Sequence, residues 1–116
     1  MIAPPKRRIV VGTMTGTSID GLDVAVIRVT GAGLEQSIEL LGHAHTPLGS
    51  LGPPLRDLAG QVPATTGAIA RLAHDFGRLH AEAIRTLLDR CSVSPDLIAV
   101  HGQTVFKSGP VGSLHH

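Results

Sequence analysis

Residues 12–23 read GTMTGTSIDGLD and follow directly on the apolar run Ile9-Val10-Val11. The stretch contains three glycines, three threonines, a serine and two aspartates, and a strand-like sequence, LDVAVIRV at 22–29, comes next. Small residues let backbone N–H groups approach an anion closely, and hydroxyl side chains add hydrogen-bond donors. We therefore interpret the stretch as a turn between two strands that can hold a phosphate.

Composition alone fits a glycine-rich hairpin connection with polar side chains equally well. Three better-known motifs do not match the turn. A Walker loop requires a lysine after its second glycine, and residues 12–18 contain none. A dinucleotide-binding fingerprint requires a helix next, whereas residues 22–29 alternate as a strand. A nucleophile elbow requires glycine at both ends of its pentapeptide, and the pentapeptide at 16–20 ends in Asp20.

Hydrophobic periodicity predicts three antiparallel strands at the start of the chain. The first is expected at Arg8–Val11, and the pair Asp20-Gly21 is expected to reverse the chain because glycine tolerates positive φ. Residues 22–29 form the second strand, and after a turn at 30–33 a less regular third strand is expected at 34–46. One face of the second strand is apolar and consists of Leu22, Val24 and Val26.

The second half of the chain predicts helices and one more strand. A short helix is expected at 55–61, and a longer one begins after Pro63 with an N-cap at Thr65-Thr66. Its apolar stripe has helical spacing and consists of Ile69, Leu72, Ala73, Phe76, Leu79, Ala83 and Leu87. The helix ends at 92–95, and the apolar run 97–100 suits an interior parallel strand. This order predicts a mixed sheet with a right-handed crossover, one face of which has no covering segment.

The length predicts one domain over residues 1–116, because it is too short for two well-formed domains, and the uncovered sheet face indicates that this domain is partial. The formal net charge of +1 and the two aromatic residues, Phe76 and Phe106, predict no nucleic-acid partner. No apolar run approaches the roughly 20 residues of a membrane span, which predicts no membrane partner. The single cysteine, Cys91, favours a reducing compartment, so the expected location is the cytoplasm.

The motif GTMTGTSIDGLD at 12–23, together with HGQTV at 101–105, resembles the anhydro-N-acetylmuramic acid kinase family of the sugar kinase, Hsp70 and actin superfamily. That family reads close to G-x-M-S-G-T-S-x-D-G-x-D near its N-terminus and H-G-Q-T-V at the end of its fourth strand. The Ala-Glu-Ala step at 81–83 and the Pro-Asp pair at 95–96 also look like the family. Three sites depart from it: Thr15 replaces a usual serine, Ala99-Val100 replace Gly-Ser, and 106–108 replace a more basic stretch.

The resemblance implies a ribonuclease-H-like mixed sheet, as part of the incomplete N-terminal lobe of an actin-like ATPase fold. It implies an enzyme that uses ATP and Mg²⁺ to open 1,6-anhydro-N-acetylmuramic acid and phosphorylate its 6-oxygen, in peptidoglycan recycling. The partner would be this small amino sugar, and the full-length enzyme would be a homodimer. The general base is expected beyond His116, so the chain alone is expected to be inactive.

The resemblance also implies site residues, position by position. The residues expected to bind the ATP phosphates or to order their loop are Gly16, Thr17, Ser18, Asp20, Gly21 and Asp23. Those expected on the sugar side of the cleft are His101, Gly102, Gln103 and Thr104. No set of protein metal ligands is assigned.

Two further hypotheses remain open on the sequence. One is a stand-alone phosphate- or nucleotide-binding module whose partner chain supplies the missing lobe. The other is a serine hydrolase that uses Ser18 with His101, which the failed elbow pattern disfavours. His43 and His45 share one face of the third strand, and surface histidines are favoured there over a metal site.

Overall fold

The computed structural model describes residues 6–106. It contains a four-stranded sheet in the spatial order β3-β2-β1-β4 and two helices. The elements are β1 (Arg7–Thr15), β2 (Gly21–Thr30), β3 (Ser37–Pro47), α1 (Gly52–Ala59), α2 (Thr66–Cys91) and β4 (Leu97–Val100). Short 3-10 turns at Gly33–Glu35 and Gly49–Leu51 precede β3 and α1. Of the departures from the family pattern, Lys107 and Ser108 lie outside the described residues.

The sheet is mixed. β1 pairs antiparallel with β2, β2 pairs antiparallel with β3, and β4 lies parallel to the other edge of β1. This confirms the predicted fold class of three antiparallel strands followed by helix and parallel strand. The arrangement is compatible with an incomplete lobe of an actin-like ATPase.

β1 is longer than the sequence predicts, because it continues through Thr15 and does not end at Val11. Thr13 pairs with Val24 and Thr15 pairs with Leu22, and the two threonines are only 6% and 3% exposed. Threonine is β-branched and suits a strand when its neighbours bury it. The expectation that the turn begins at Gly12 is therefore wrong, and the loop between the strands is confined to residues 16–20.

The reversal of the chain also differs from the prediction. Gly21 is the first residue of β2 and pairs with Pro47, and it does not have a positive φ. Ile19 is the residue in the left-handed region, with φ of 52°. The buried residues Leu22, Val24 and Val26 of β2 confirm the predicted apolar face.

β3 is irregular, as predicted, because a bulge interrupts its pairing with β2. Val26 pairs with Gly42 while Ile27 pairs with Leu40, so one residue of β3 is left over between them. Such an extra residue bends its strand locally. The strand begins at Ser37, later than the expected residue 34, because residues 33–35 form the 3-10 turn.

α2 begins where the sequence predicts. The Thr65 hydroxyl accepts a hydrogen bond from Ala68 N at 3.1 Å and caps the helix, and Ser92, in the left-handed region, ends it. Only the C-terminal half of the apolar stripe is buried, including Ala83 and Leu87, whereas Ile69 is 45% exposed. α2 therefore packs on β2 and β3 with about half its length. α1 begins at Gly52, earlier than expected, and inserts Leu55 into the same core.

The prediction of an interior position for β4 is wrong. β4 is an edge strand whose single neighbour among residues 6–106 is β1, and its large side chains are exposed, with Leu97 at 59% and Val100 at 55%. Neither helix within residues 6–106 combines the length and the apolarity that a bilayer crossing requires.

Candidate functional site

The loop between β1 and β2 is built around one tight turn. Ile19 N donates to Gly16 O at 3.1 Å, which closes the turn at residues 16–19. Thr17 and Ser18 at its tip are exposed, and neither their amides nor their hydroxyls have a hydrogen-bond partner among residues 6–106. The tip therefore presents several free donors, which are groups that can hold an anion.

Neither the backbone conformation nor the neighbouring atoms require a glycine at position 16. Its φ is not positive, and a Cβ added there would meet only Ser18 Oγ, at an ordinary contact distance of 3.7 Å. Glycine is also used where a ligand comes close to the backbone. The backbone at Gly16 is therefore open to close approach, and unpartnered donors lie beside it.

The second motif lies directly against the first. His101 N donates to Thr13 O at 3.2 Å, and Thr15 Oγ1 donates to Gly102 O at 2.9 Å. Gln103 Nε2 lies 3.4 Å from Gly16 O and donates to it. The segment that follows β4 thus runs alongside the carboxyl end of the parallel strand β1, where ligand sites of α/β sheets are found.

A cleft of about 200 Å³ opens beside this junction. Gly102 and Gln103 line one side, and apolar side chains of α1 and α2, including Leu55 and Phe76, line the other. Gln103 Oε1 is buried and has no hydrogen-bond partner within the described part of the chain. A buried carbonyl oxygen without a partner is costly, so this side chain is unusual among the residues that line the cleft.

The remaining predicted residues are distributed unevenly around the loop. Asp20 is exposed in the loop itself, but Asp23 lies inside β2, where His45 Nδ1 donates to its Oδ1 at 2.8 Å. His101 and Thr104 are exposed after β4. Over residues 6–106, no three His, Cys, Asp or Glu side chains come together as a metal-binding group.

Ser18 and His101 do not form the pair that a hydrolase would use. The imidazole Nδ1 of His101 donates to Gly102 O at 3.2 Å, and no hydrogen bond joins it to Ser18 within residues 6–106. The serine hydrolase hypothesis therefore has no support in the contacts of the described residues.

The family model for anhydro-N-acetylmuramic acid kinase matches residues 8–116. The chain belongs to this family. The anhydro-N-acetylmuramic acid kinase of Photobacterium profundum is 37% identical over 102 residues, which are 84% of this chain and 26% of that protein. The enzyme of the same name from Caldanaerobacter subterraneus is 35% identical over 105 residues, 87% of this chain and 26% of the relative.

A third relative of that name, from Vibrio cholerae serotype O1, is 34% identical over 112 residues, 93% of this chain and 29% of the relative. The chain therefore spans a little over a quarter of the length of these curated relatives. The resemblance read from the two motifs is confirmed at the level of the anhydro-N-acetylmuramic acid kinase family.

The structure adds one residue to the site that the sequence did not indicate. Arg56 of α1 donates from Nη1 to Ile19 O at 2.8 Å, so it fixes the end of the loop that carries the first motif of the anhydro-N-acetylmuramic acid kinases. An arginine in a short helix carries no local sign of this role. Only the chain reversal between β3 and α1 brings it to the loop.

Proposed function

We propose that this chain is the N-terminal, ATP-phosphate-binding part of a kinase that opens 1,6-anhydro-N-acetylmuramic acid and phosphorylates its 6-oxygen. The reaction would belong to peptidoglycan recycling and take place in the cytoplasm. The observation that carries the proposal is the meeting of the two family motifs, because Thr15 Oγ1 and Gln103 Nε2 join them by direct hydrogen bonds.

The loop is the proposed site for the ATP phosphates. The amides and hydroxyls of Thr17 and Ser18 are free to donate to phosphate oxygens, and the absence of a side chain at Gly16 leaves room for them. The exposed carboxylate of Asp20 can approach a Mg²⁺ ion that accompanies the phosphates. ATP supplies the phosphoryl group, and Mg²⁺ neutralises charge that develops on it.

We propose that Asp23 acts indirectly and does not contact the phosphates. Its carboxylate is already held by His45, and it lies on the strand and not in the loop. We therefore assign Gly21 and Asp23 to shaping the end of β2 next to the loop. The proposed phosphate contacts are then limited to the turn between β1 and β2.

The segment 101–104 is the proposed sugar side. Gln103 lines the cleft and carries an amide side chain, a group that can hydrogen-bond to the hydroxyl and amide groups of an amino sugar. His101 and Thr104 add exposed polar groups at the same strand end. Polar side chains of this kind orient a substrate whose reaction depends mainly on positioning.

None of the described residues is assigned as general base. The relatives are about four times as long as the stretch they share with this chain. We propose that the base, the adenosine site and a second lobe belong to the part of such an enzyme that this chain does not match, and that the complete enzyme is a homodimer. The chain alone would then be catalytically inactive.

The test compares two proteins, the 116-residue chain and a longer protein that contains it in the same reading frame. Phosphorylation of 1,6-anhydro-N-acetylmuramic acid is measured with ATP and Mg²⁺ for both. We expect turnover from the longer protein and none from the chain. Turnover by the chain alone contradicts the partial-domain proposal, and lack of turnover by the longer protein contradicts the kinase proposal.

A titration of the chain with ATP and Mg²⁺ separates the alternative of a stand-alone module. An isolated half-site provides only part of the binding contacts, so we expect weak binding that approaches saturation only at high nucleotide concentration. Saturation at low nucleotide concentration favours a self-sufficient nucleotide-binding module instead. The amide signals of Thr17 and Ser18 report whether the nucleotide contacts the loop.

A further inference from the structure

Arg56 makes a contact between two elements that are distant in sequence. Its Nη1 donates to Ile19 O at 2.8 Å across 37 positions of the chain. Ile19 has φ of 52°, a conformation that β-branched residues rarely adopt, and its side chain is only 4% exposed. A residue in this conformation persists only when its surroundings hold it there.

The guanidinium of Arg56 occupies a place that α1 leaves open for it. A Cβ at Gly52, one turn earlier, would lie 3.0 and 3.1 Å from the two terminal nitrogens of Arg56. Gly52 has ordinary helical angles, φ of −60° and ψ of −57°, so its backbone does not require glycine. A side chain at Gly52 would therefore press on the guanidinium of Arg56 and shift it.

α1 is itself fixed to the core, which makes it a suitable support. Leu55, the neighbour of Arg56, is buried in the same apolar cluster as Ile19 and Leu22. The amide of Ile19 donates to Gly16 O, and its carbonyl accepts from Arg56. Both backbone groups of Ile19 are thus held, one within the turn and one from the helix.

We propose that Arg56 is a positioning residue that holds the turn at 16–19 in the conformation with its tip amides free for a phosphate. The proposal rests on the function proposed above, and it adds a residue outside both family motifs. Arg56 acts through Ile19, since its guanidinium bonds to the backbone of the turn. A helix that follows the third strand thereby sets the shape of the loop between the first two.

The first test measures amide hydrogen exchange by NMR on the ligand-free chain. In Arg56→Ala we expect the Ile19 amide to exchange about tenfold faster, because the turn loses its support. The exchange of core amides at 83–87 should stay unchanged, which shows that the fold is intact. The control is Arg78→Ala, which removes the same charge from the exposed face of α2.

The second test titrates Mg²⁺-ATP and follows the amide shifts of Thr17 and Ser18. We expect Arg56→Ala to weaken the apparent affinity about tenfold and Arg78→Ala to leave it unchanged. Gly52→Ala keeps the arginine but displaces its guanidinium by a few tenths of an ångström, so we expect an intermediate loss. In the Arg56→Ala background Gly52→Ala should have no further effect.

The outcomes for Arg56 and for the proposed function are distinct. Unchanged exchange of the Ile19 amide in Arg56→Ala overturns the positioning role, whatever the titration gives. An equal loss of affinity in Arg78→Ala also overturns it, because a general charge effect then explains the result. If the unaltered chain shows no shift with Mg²⁺-ATP, the phosphate proposal fails, and the exchange measurement still decides the role of Arg56.

Discussion

Gly16 is the residue at which a phosphate contact and a purely structural role give different results. In Gly16→Ala we expect the free energy of unfolding to change by less than about 0.5 kcal/mol, since the added methyl meets only Ser18 Oγ at an ordinary distance. In the proposed phosphate site, the same methyl would occupy the space that a phosphate oxygen needs. We therefore expect the affinity for Mg²⁺-ATP, measured by titration, to fall at least about tenfold.

The matched control is Gly67→Ala in the first turn of α2. A Cβ at Gly67 also has open space around it, and the site is remote from the loop. This variant should bind Mg²⁺-ATP as the unaltered chain does. If both alanine variants bind equally well, Gly16 does not approach a phosphate.

Thr15 joins the two motifs through a single hydroxyl. Thr15→Val keeps the shape but removes the donor to Gly102 O, and we expect a loss of about 1 kcal/mol in the free energy of unfolding. The amides of Gln103 and Thr104 should exchange faster, because their segment loses an anchor. Urea unfolding and amide exchange measure the two effects.

Thr15→Ser is the variant that separates the hydroxyl from the methyl group. Serine keeps the donor, so the exchange at Gln103 and Thr104 should stay close to that of the unaltered chain. Faster exchange in Thr15→Ser, with none in Thr15→Val, would show that packing by the methyl group, and not the hydrogen bond, holds the second motif in place.

The two sequence motifs identified the family, but the sequence placed the start of the loop too early and could not show how the loop is supported. The family pattern itself singles out Gly16, Thr17 and Ser18, and the family match confirms the pattern. The sequence did not predict a role for Arg56, because its partner is a backbone carbonyl on a distant loop. Contacts of this kind depend on the path of the chain and leave no periodic signal.

Among the elements, those with a clear alternation or a cap were predicted best. Leu22, Val24 and Val26 alternate and are buried, and α2 begins at the expected cap. Thr13 and Thr15 were assigned to the turn because hydroxyl residues are common there, but pairing with β2 buries them. Local composition does not report such pairing.

The misplacement of β4 has a different cause. An apolar run such as 97–100 indicates contacts on both faces, but it does not say which elements provide them. Among residues 6–106, α2 packs on β2 and β3, which lie toward the opposite end of the sheet from β4. The only strand beside β4 is β1. The sequence thus predicted the strand and its direction but not its edge position.

The N-terminal half of α2 depends on its cap more than on packing. Thr65 Oγ1 accepts from Ala68 N, whereas nearby Ile69 is half exposed. In Thr65→Ala we expect a loss of about 1 kcal/mol and faster exchange in the first turns of the helix, with little change at 83–91. Hydrogen exchange with mass spectrometry resolves the two halves.

Thr66→Ala tests whether the effect belongs to the cap itself. Thr66 is the first residue of α2, and the capping hydroxyl belongs to its neighbour. This variant should leave exchange in the first turns nearly unchanged. Faster exchange along the whole helix in Thr65→Ala would instead mean that α2 unfolds as one unit.

The described part of the molecule exposes apolar strand surface. Large side chains are exposed on the sheet, including Met14, Leu40 and Leu97. An edge strand with apolar side chains can pair with another chain, and the net charge of +1 opposes this only weakly.

We expect the isolated chain to associate through β4. In sedimentation velocity, the weight-average sedimentation coefficient should rise with protein concentration. Leu97→Lys should reduce this rise, because a lysine on an edge strand must be desolvated before another strand can pair there. The free energy of unfolding should change little, since the Leu97 side chain is 59% exposed.

Leu34→Lys distinguishes strand pairing at β4 from non-specific association through exposed leucines. Leu34 is fully exposed in the 3-10 turn before β3, so this substitution removes an exposed leucine and adds the same charge away from β4. If β4 is the contact, Leu34→Lys should associate as the unaltered chain does, while Leu97→Lys remains monomeric at higher concentration. Equal suppression by both would mean that net charge, and not the edge of the sheet, controls association.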